Sequence, residues 1–149
     1  MLTAPHFREC EFLPKTTFSI WGPKGMRFID ARIPVIVEWI REKYNLPVRI
    51  NTWDDGGSLD GRCLRLSTNT AYTWHSCHTF GRAIDFDIPG LDPEKIRNDI
   101  LNLYFADLKT LGLTAIELKT PTWVHLSVSD FSLWPELSDI NGIKLIPMP

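Results

Sequence analysis

Between Asp30 and Tyr44 the apolar residues Ile33, Ile36, Val37, Ile40 and Tyr44 recur at helical spacing. The spacing predicts a helix with Asp30 as N-cap, Pro34 tolerated in its first turn, and Asn45 and Pro47 as its stop. A second helix is predicted after Asp92-Pro93-Glu94, which supplies a cap, a proline at the first helical position and an acid in the first turn. Its buried stripe is Ile96, Ile100, Leu101, Leu103, Tyr104 and Leu108, and Gly112 ends it. Period-two alternation predicts strands at Leu46–Trp53, Arg82–Ile88, Thr114–Lys119 and Trp123–Val128, with a last short strand near Ile143–Ile146. Thr120-Pro121-Thr122 reads as a three-residue hairpin loop between the third and fourth. The first 28 residues lack periodicity and read as an irregular arm packed on the domain, with a short strand at Thr17–Ile20. The expected fold class is α+β: one domain over residues 1–149, a small mainly antiparallel sheet with two main helices packed on it.

Composition narrows the function classes. The chain has 149 residues, 16 Lys+Arg and 18 Asp+Glu, giving a net charge of −2. That balance argues against a general nucleic-acid partner. No apolar run reaches the roughly 18 residues of a membrane helix, so no membrane span is expected. The N-terminus MLTAPHFREC has no basic region followed by an apolar stretch, so synthesis in the cytoplasm without a secretory signal is expected. Cys10, Cys63 and Cys77 are odd in number and lack C-x-x-C spacing, which points away from a disulfide framework and a cysteine zinc site. Most of the six tryptophans are expected in the core, although Trp53, Trp74 and Trp123 are candidates for lining a sugar or peptide groove.

The densest polar cluster is Ser76-Cys77-His78-Thr79-Phe80-Gly81-Arg82-Ala83-Ile84-Asp85-Phe86-Asp87. Imidazole and carboxylate are both good zinc ligands. Gly81 allows a turn that brings His78, in a loop, toward Asp85, on a strand. Two acids on one strand face also suit plain solvent exposure, and His-x6-Asp by itself says little. His125 supplies a third ligand, with Trp123 and Ser127 on its face and Val124, Leu126 and Val128 on the other. With the three-residue loop, Glu117 pairs across the hairpin with His125, close to it without being forced onto the same metal. Three protein ligands leave one position for water, and a nearby carboxylate takes that water's proton. Glu117 paired with Lys119 or Arg82, beside a buried spectator His125, is the competing reading. Cys77 beside His78 is a poor thiol–base pair, because adjacent side chains diverge on an extended segment.

The motif S-x-H-x-x-G-x-A-x-D-F at Ser76–Phe86, with W-x-H-x-S at Trp123–Ser127, resembles a family of zinc peptidases. That family includes D-Ala-D-Ala carboxypeptidases, L-Ala-D-Glu endopeptidases of phage endolysins and vancomycin-resistance D,D-dipeptidases, and hedgehog signalling domains share its fold. The resemblance covers roughly Val48 to Asp130 and is nearest to small phage-type members. It implies a hedgehog/D,D-peptidase-like fold and one Zn2+ held by His78, Asp85 and His125. Ser76, Gly81 and Ala83 match supporting positions. Many members carry the catalytic acid three residues before the last His, and here that position is Thr122. Hedgehog-like and several phage-type members place a Glu on the preceding strand, which again selects Glu117.

The resemblance also implies an arginine that steadies a scissile carbonyl or a substrate carboxylate. The candidates are Arg62 and Arg65, with Arg62 favoured because it follows the glycine-rich loop. Ser76, Trp123 and Arg65 are the candidate substrate-binding residues. The implied partner is bacterial peptidoglycan, with a phage pore protein or a virion as the route of release to the wall. A zinc-containing binding or structural module without catalysis, and an α+β protein with no metal, are the alternatives.

Overall fold

The computed structural model describes residues 4–129, 138–140 and 142–146. The N-terminal region is more ordered than its sequence suggests. Helix α1 spans Glu9–Phe12, α2 spans Lys15–Trp21, and a 3-10 segment continues over Gly22–Phe28. The expected irregular arm and the strand at Thr17–Ile20 are therefore corrected. KTTFSIW is rich in β-branched and aromatic residues, yet tertiary contacts decide its state. As a helix it buries Thr17, sets Phe18 against the Trp53 ring at 5.7 Å, and follows Phe12 and Leu13, which are fully buried.

Helix α3, Arg32–Tyr44, matches its predicted span and buries Ile33, Ile36, Val37 and Ile40. Ala31 stands at the N-cap in place of the expected Asp30; the Asp30 carboxylate, one position earlier, accepts the Arg32 backbone N–H at 3.1 Å and also binds the Arg32 guanidinium. Asn45 ends the helix in the left-handed conformation. Helices α4, Pro93–Asp99, and α5, Phe105–Thr110, are joined by a π-helical turn at Ile100–Tyr104. Asp92 caps α4 by accepting the Glu94 N–H at 2.9 Å. The π turn shifts the helical phase, so Leu103 is 66% exposed and leaves the predicted buried stripe.

Among the described residues the sheet has five strands: β1 Ala83–Phe86, β2 Ala115–Glu117, β3 Val124–Ser127, β4 Ser138–Ile140 and β5 Ile143–Ile146. Their spatial order is β1-β3-β2-β5-β4, and only the β2–β5 pair is parallel. The mixed α+β class and mainly antiparallel sheet are as expected, with the N-terminal helices added. β4 was not predicted. Leu46–Trp53 is not a strand; it contributes one bridge, Arg49 to Asp87. Side chains take the place of a ladder there, because Arg62 Nη1 donates to the Arg49 and Ile50 carbonyls and Asn51 binds Leu13 O and Arg62 N.

The β2–β3 loop is also longer than three residues, running from Leu118 to Trp123. Buried Arg97 of α4 holds it open by donating to Thr120 O, Thr120 Oγ1 and Trp123 O at 3.1, 2.7 and 3.1 Å. Strand parity divides the sheet in two. Ile84, Phe86, Ile116, Val124, Leu126, Ile143 and Leu145 enter the apolar core with α3 and α4. The opposite face carries Asp85, Ala115, Glu117, His125, Ser127, Lys144 and Ile146, which line a cavity.

Candidate metal centre

The cavity floor is set by register. β1 and β3 pair so that Asp85 lies directly across from His125. β2 and β3 pair Ala115 with Ser127 and Ile116 with Leu126, and the next step of that register brings Glu117 alongside His125. His78 arrives from a 3-10 turn, Cys77–Phe80, immediately before β1. Ser76 opens that turn by accepting the His78 N–H at 3.3 Å. Gly81 closes it with φ of +64°, and a Cβ there would stand 2.0 Å from Phe28 O. Both the left-handed backbone and the close approach call for glycine.

Three donor atoms converge on one point. His125 Nδ1 is 2.8 Å from Asp85 Oδ1 and 3.2 Å from His78 Nε2, and His78 Nε2 is 3.2 Å from Asp85 Oδ2. Ligands placed tetrahedrally about 2.0–2.1 Å from a zinc ion stand about 3.3 Å apart, so the donor set fits such an ion with small adjustments. His78 Nδ1 lies 2.9 Å from Cys63 O. A carbonyl only accepts, so Nδ1 carries the proton and Nε2 turns its lone pair to the centre. Arg65 donates to Asp85 Oδ2 at 3.0 Å and fixes that carboxylate. Hence His78, Asp85 and His125 form a group that could hold a metal ion.

The electrostatics follow from this crowding. Burial lowers the pKa of His78, against the pull of Asp85. Burial would raise Asp85, but the charges and hydrogen bonds of His78 and His125 outweigh it and hold the carboxyl well below the usual range. Burial works against a charged His125 too, yet Asp85 outweighs it and raises the pKa of that imidazole. Glu117 is pushed up by burial, opposed mainly by His125. Its Oε2 is 3.9 Å from His125 Nδ1, next to the centre rather than within it.

The walls include Ser76, Trp123 and Arg65, as the sequence reading places them, together with Thr73 and Cys77. The cavity volume is about 440 Å³, within the range of small-molecule sites. Arg62 is the exception among the predicted site residues. It does not line the cavity; its Nη1 is 2.7 Å from Asp87 Oδ1. Of the two candidate arginines, Arg65 thus lines the cavity, paired with Asp85, and Arg62 lies outside the lining, paired with Asp87.

Lys144 and Ile146 were missed as lining residues. The alternation around Ile143 and Leu145 marks them as the other face of β5, but its parallel pairing with β2 has no local sequence signal. Of the five tryptophans among the described residues, none is fully buried, which corrects the expectation of a tryptophan-rich core. Trp134 lies outside the described residues. A second group, His6, Glu38 and Glu42, also brings three possible ligands together, but His6 is paired directly with Glu38 and both His6 and Glu42 are exposed.

Comparison of the chain with protein-family models, curated proteins and solved structures finds no match. No helix among the described residues is long and apolar enough to cross a membrane.

Proposed function

We propose that the chain is a zinc-dependent peptidase acting on the stem peptides of bacterial peptidoglycan. The observation that carries the hydrolytic part is the convergence of His78 Nε2, Asp85 and His125 Nδ1 beneath a cavity, with a fourth ionisable group, Glu117, 3.9 Å away. The substrate class is supported by the resemblance of the two sequence motifs. His78, Asp85 and His125 are the residues that would hold zinc. When bound there, zinc polarises a carbonyl oxygen and makes water acidic enough to lose a proton near neutral pH.

Glu117 accepts a proton from the attacking water as the water oxygen bonds to the scissile carbon. It then returns that proton to the amide nitrogen as the C–N bond breaks, leaving a carboxylate and a free amine. Arg65 holds Asp85 in place and presents positive charge to the cavity, where it favours an oxyanion or a substrate carboxylate. Ser76 orders the turn that carries His78, and the half-buried Trp123 offers an apolar surface to a substrate side chain. Release to the wall by a phage pore protein or within a virion belongs to the same proposal.

Metal analysis and digestion of purified peptidoglycan test it together. One zinc per chain, with new amino termini released by the zinc-loaded protein and not after chelation, is the expected result. Zinc without released amino termini assigns the chain to a non-catalytic binding or structural module. Absence of zinc removes both readings.

A further inference from the structure

Outside the cavity lined by His78, Asp85 and His125 the described residues contain an apolar groove of about 310 Å³ between α2, the 3-10 segment after it and the strip Leu64–Leu66. Its walls are unusually open for apolar residues: Ile20 is 70% exposed, Trp21 47% and Phe28 40%. The rings are fixed rather than loose. Trp21 meets Phe28 edge-on at 5.7 Å, and the Arg27 guanidinium lies 5.9 Å from the Trp21 ring. Neither cysteine nor carboxylate lines the groove.

Two further observations say what would occupy it. The first is charge. Residues 13–29 contain Lys15, Lys24 and Arg27, residues 61–84 contain Arg62, Arg65 and Arg82, and neither stretch has an Asp or Glu, in a chain of net charge −2. Asp60 and Asp30 border the region, Arg62 and Arg65 are engaged by Asp87 and Asp85, and Arg27 keeps its charge against the Trp21 ring while its Nε donates to Lys24 O. The second is continuity. Arg65 lines the metal cavity, whereas its neighbours Leu64 and Leu66 line the groove, so one short strip is the shared wall of both. Gly81, which closes the His78 turn, also packs against the Phe28 carbonyl.

We propose that this groove is a second subsite, taking the sugar backbone of the polymer whose stem peptide enters the metal cavity. This rests on the peptidase reading. A pyranose ring presents an apolar face and a hydroxyl edge, and the groove offers the Trp21 and Phe28 rings beside the Thr16 hydroxyl. The apolar residues wall a concavity instead of projecting, which suits a ring better than a bilayer. Arg27, against the Trp21 ring, puts positive charge beside the groove, which suits a polymer that carries carboxylates on its peptides or on its sugars.

The test uses glycan strands from purified peptidoglycan whose stem peptides have been removed, leaving a free lactyl carboxylate on each muramyl sugar. Wild type is expected to bind these strands. The Trp21→Ala/Phe28→Ala variant is expected to bind at least about tenfold more weakly, the scale of truncating an aromatic anchor. Because both residues are partly exposed and outside the core, the variant stays folded in a thermal melt, and it cleaves a sugar-free stem peptide at the wild-type rate. Strand binding that depends on Trp21 and Phe28 in a protein that cleaves nothing supports the subsite and removes the peptidase reading. Cleavage without strand binding does the reverse. Equal binding by wild type and variant overturns the subsite, as does binding to phosphatidylglycerol vesicles in place of the strands.

Discussion

Arg62 and Arg65 are three positions apart and do different work. Arg65 orients a candidate metal ligand, and Arg62 shares Asp87 with Arg49. Loss of a group that orients a ligand typically costs ten- to a hundredfold in metal affinity. Arg65→Met is therefore expected to weaken zinc binding by about that factor in a metal titration. Arg62→Met is expected to keep the wild-type zinc affinity and to lower unfolding stability by about 1–3 kcal/mol, the scale of a lost hydrogen bond to a charged group. Gly81→Ala is expected to lower stability by more than about 1 kcal/mol in denaturant unfolding, since left-handed backbone alone costs that much and the added Cβ meets Phe28 O.

The grouping of His78, Asp85 and His125, with Glu117 beside them, was legible because strand parity and motif spacing are local. The two arginines were not, because both follow the same glycine-rich loop and only the partner across the fold separates them.

Among the elements, α3 and the α4–α5 helix were readable because caps, prolines and apolar stripes are encoded within a few residues. The N-terminal helices were not, since KTTFSIW becomes helical only against Phe12, Leu13 and Trp53. The β2–β3 loop shows the same limit, because its length is set by Arg97 from another element. Arg97→Met is expected to release that loop. A measurable outcome is faster hydrogen exchange over residues 118–123 while α3 keeps its protection.

The start of α3 also predicts a pH effect. The Arg32 guanidinium and backbone hold the Asp30 carboxyl below its ordinary value. The unfolded chain therefore binds that proton more readily, so the contribution is complete above the unfolded pKa of about 3.9 and disappears as pH falls through the folded value. Asp30→Ala is expected to cost about 1 kcal/mol at neutral pH, the scale of a lost hydrogen bond, and progressively less in unfolding measurements taken down through pH 3.

The whole molecule is a sheet with one face committed to a core and the other left open to a cavity. A metal that binds only the folded chain stabilises it by mass action. At a hundredfold excess over Kd the gain is about 2.7 kcal/mol, or roughly 5–10 °C in thermal midpoint for a chain of this size. Zinc is expected to produce that shift in a thermal melt, and His125→Ala to abolish it.

The most direct test of hydrolysis compares wild type with Glu117→Gln at matched zinc content, following amino termini released from purified peptidoglycan over time. Removal of a general acid–base typically costs a hundredfold to ten-thousandfold. Equal zinc in both proteins, steady release by wild type and at least about a hundredfold slower release by Glu117→Gln is the expected outcome. Release by Glu117→Gln at the wild-type rate, or none from zinc-loaded wild type, would contradict it.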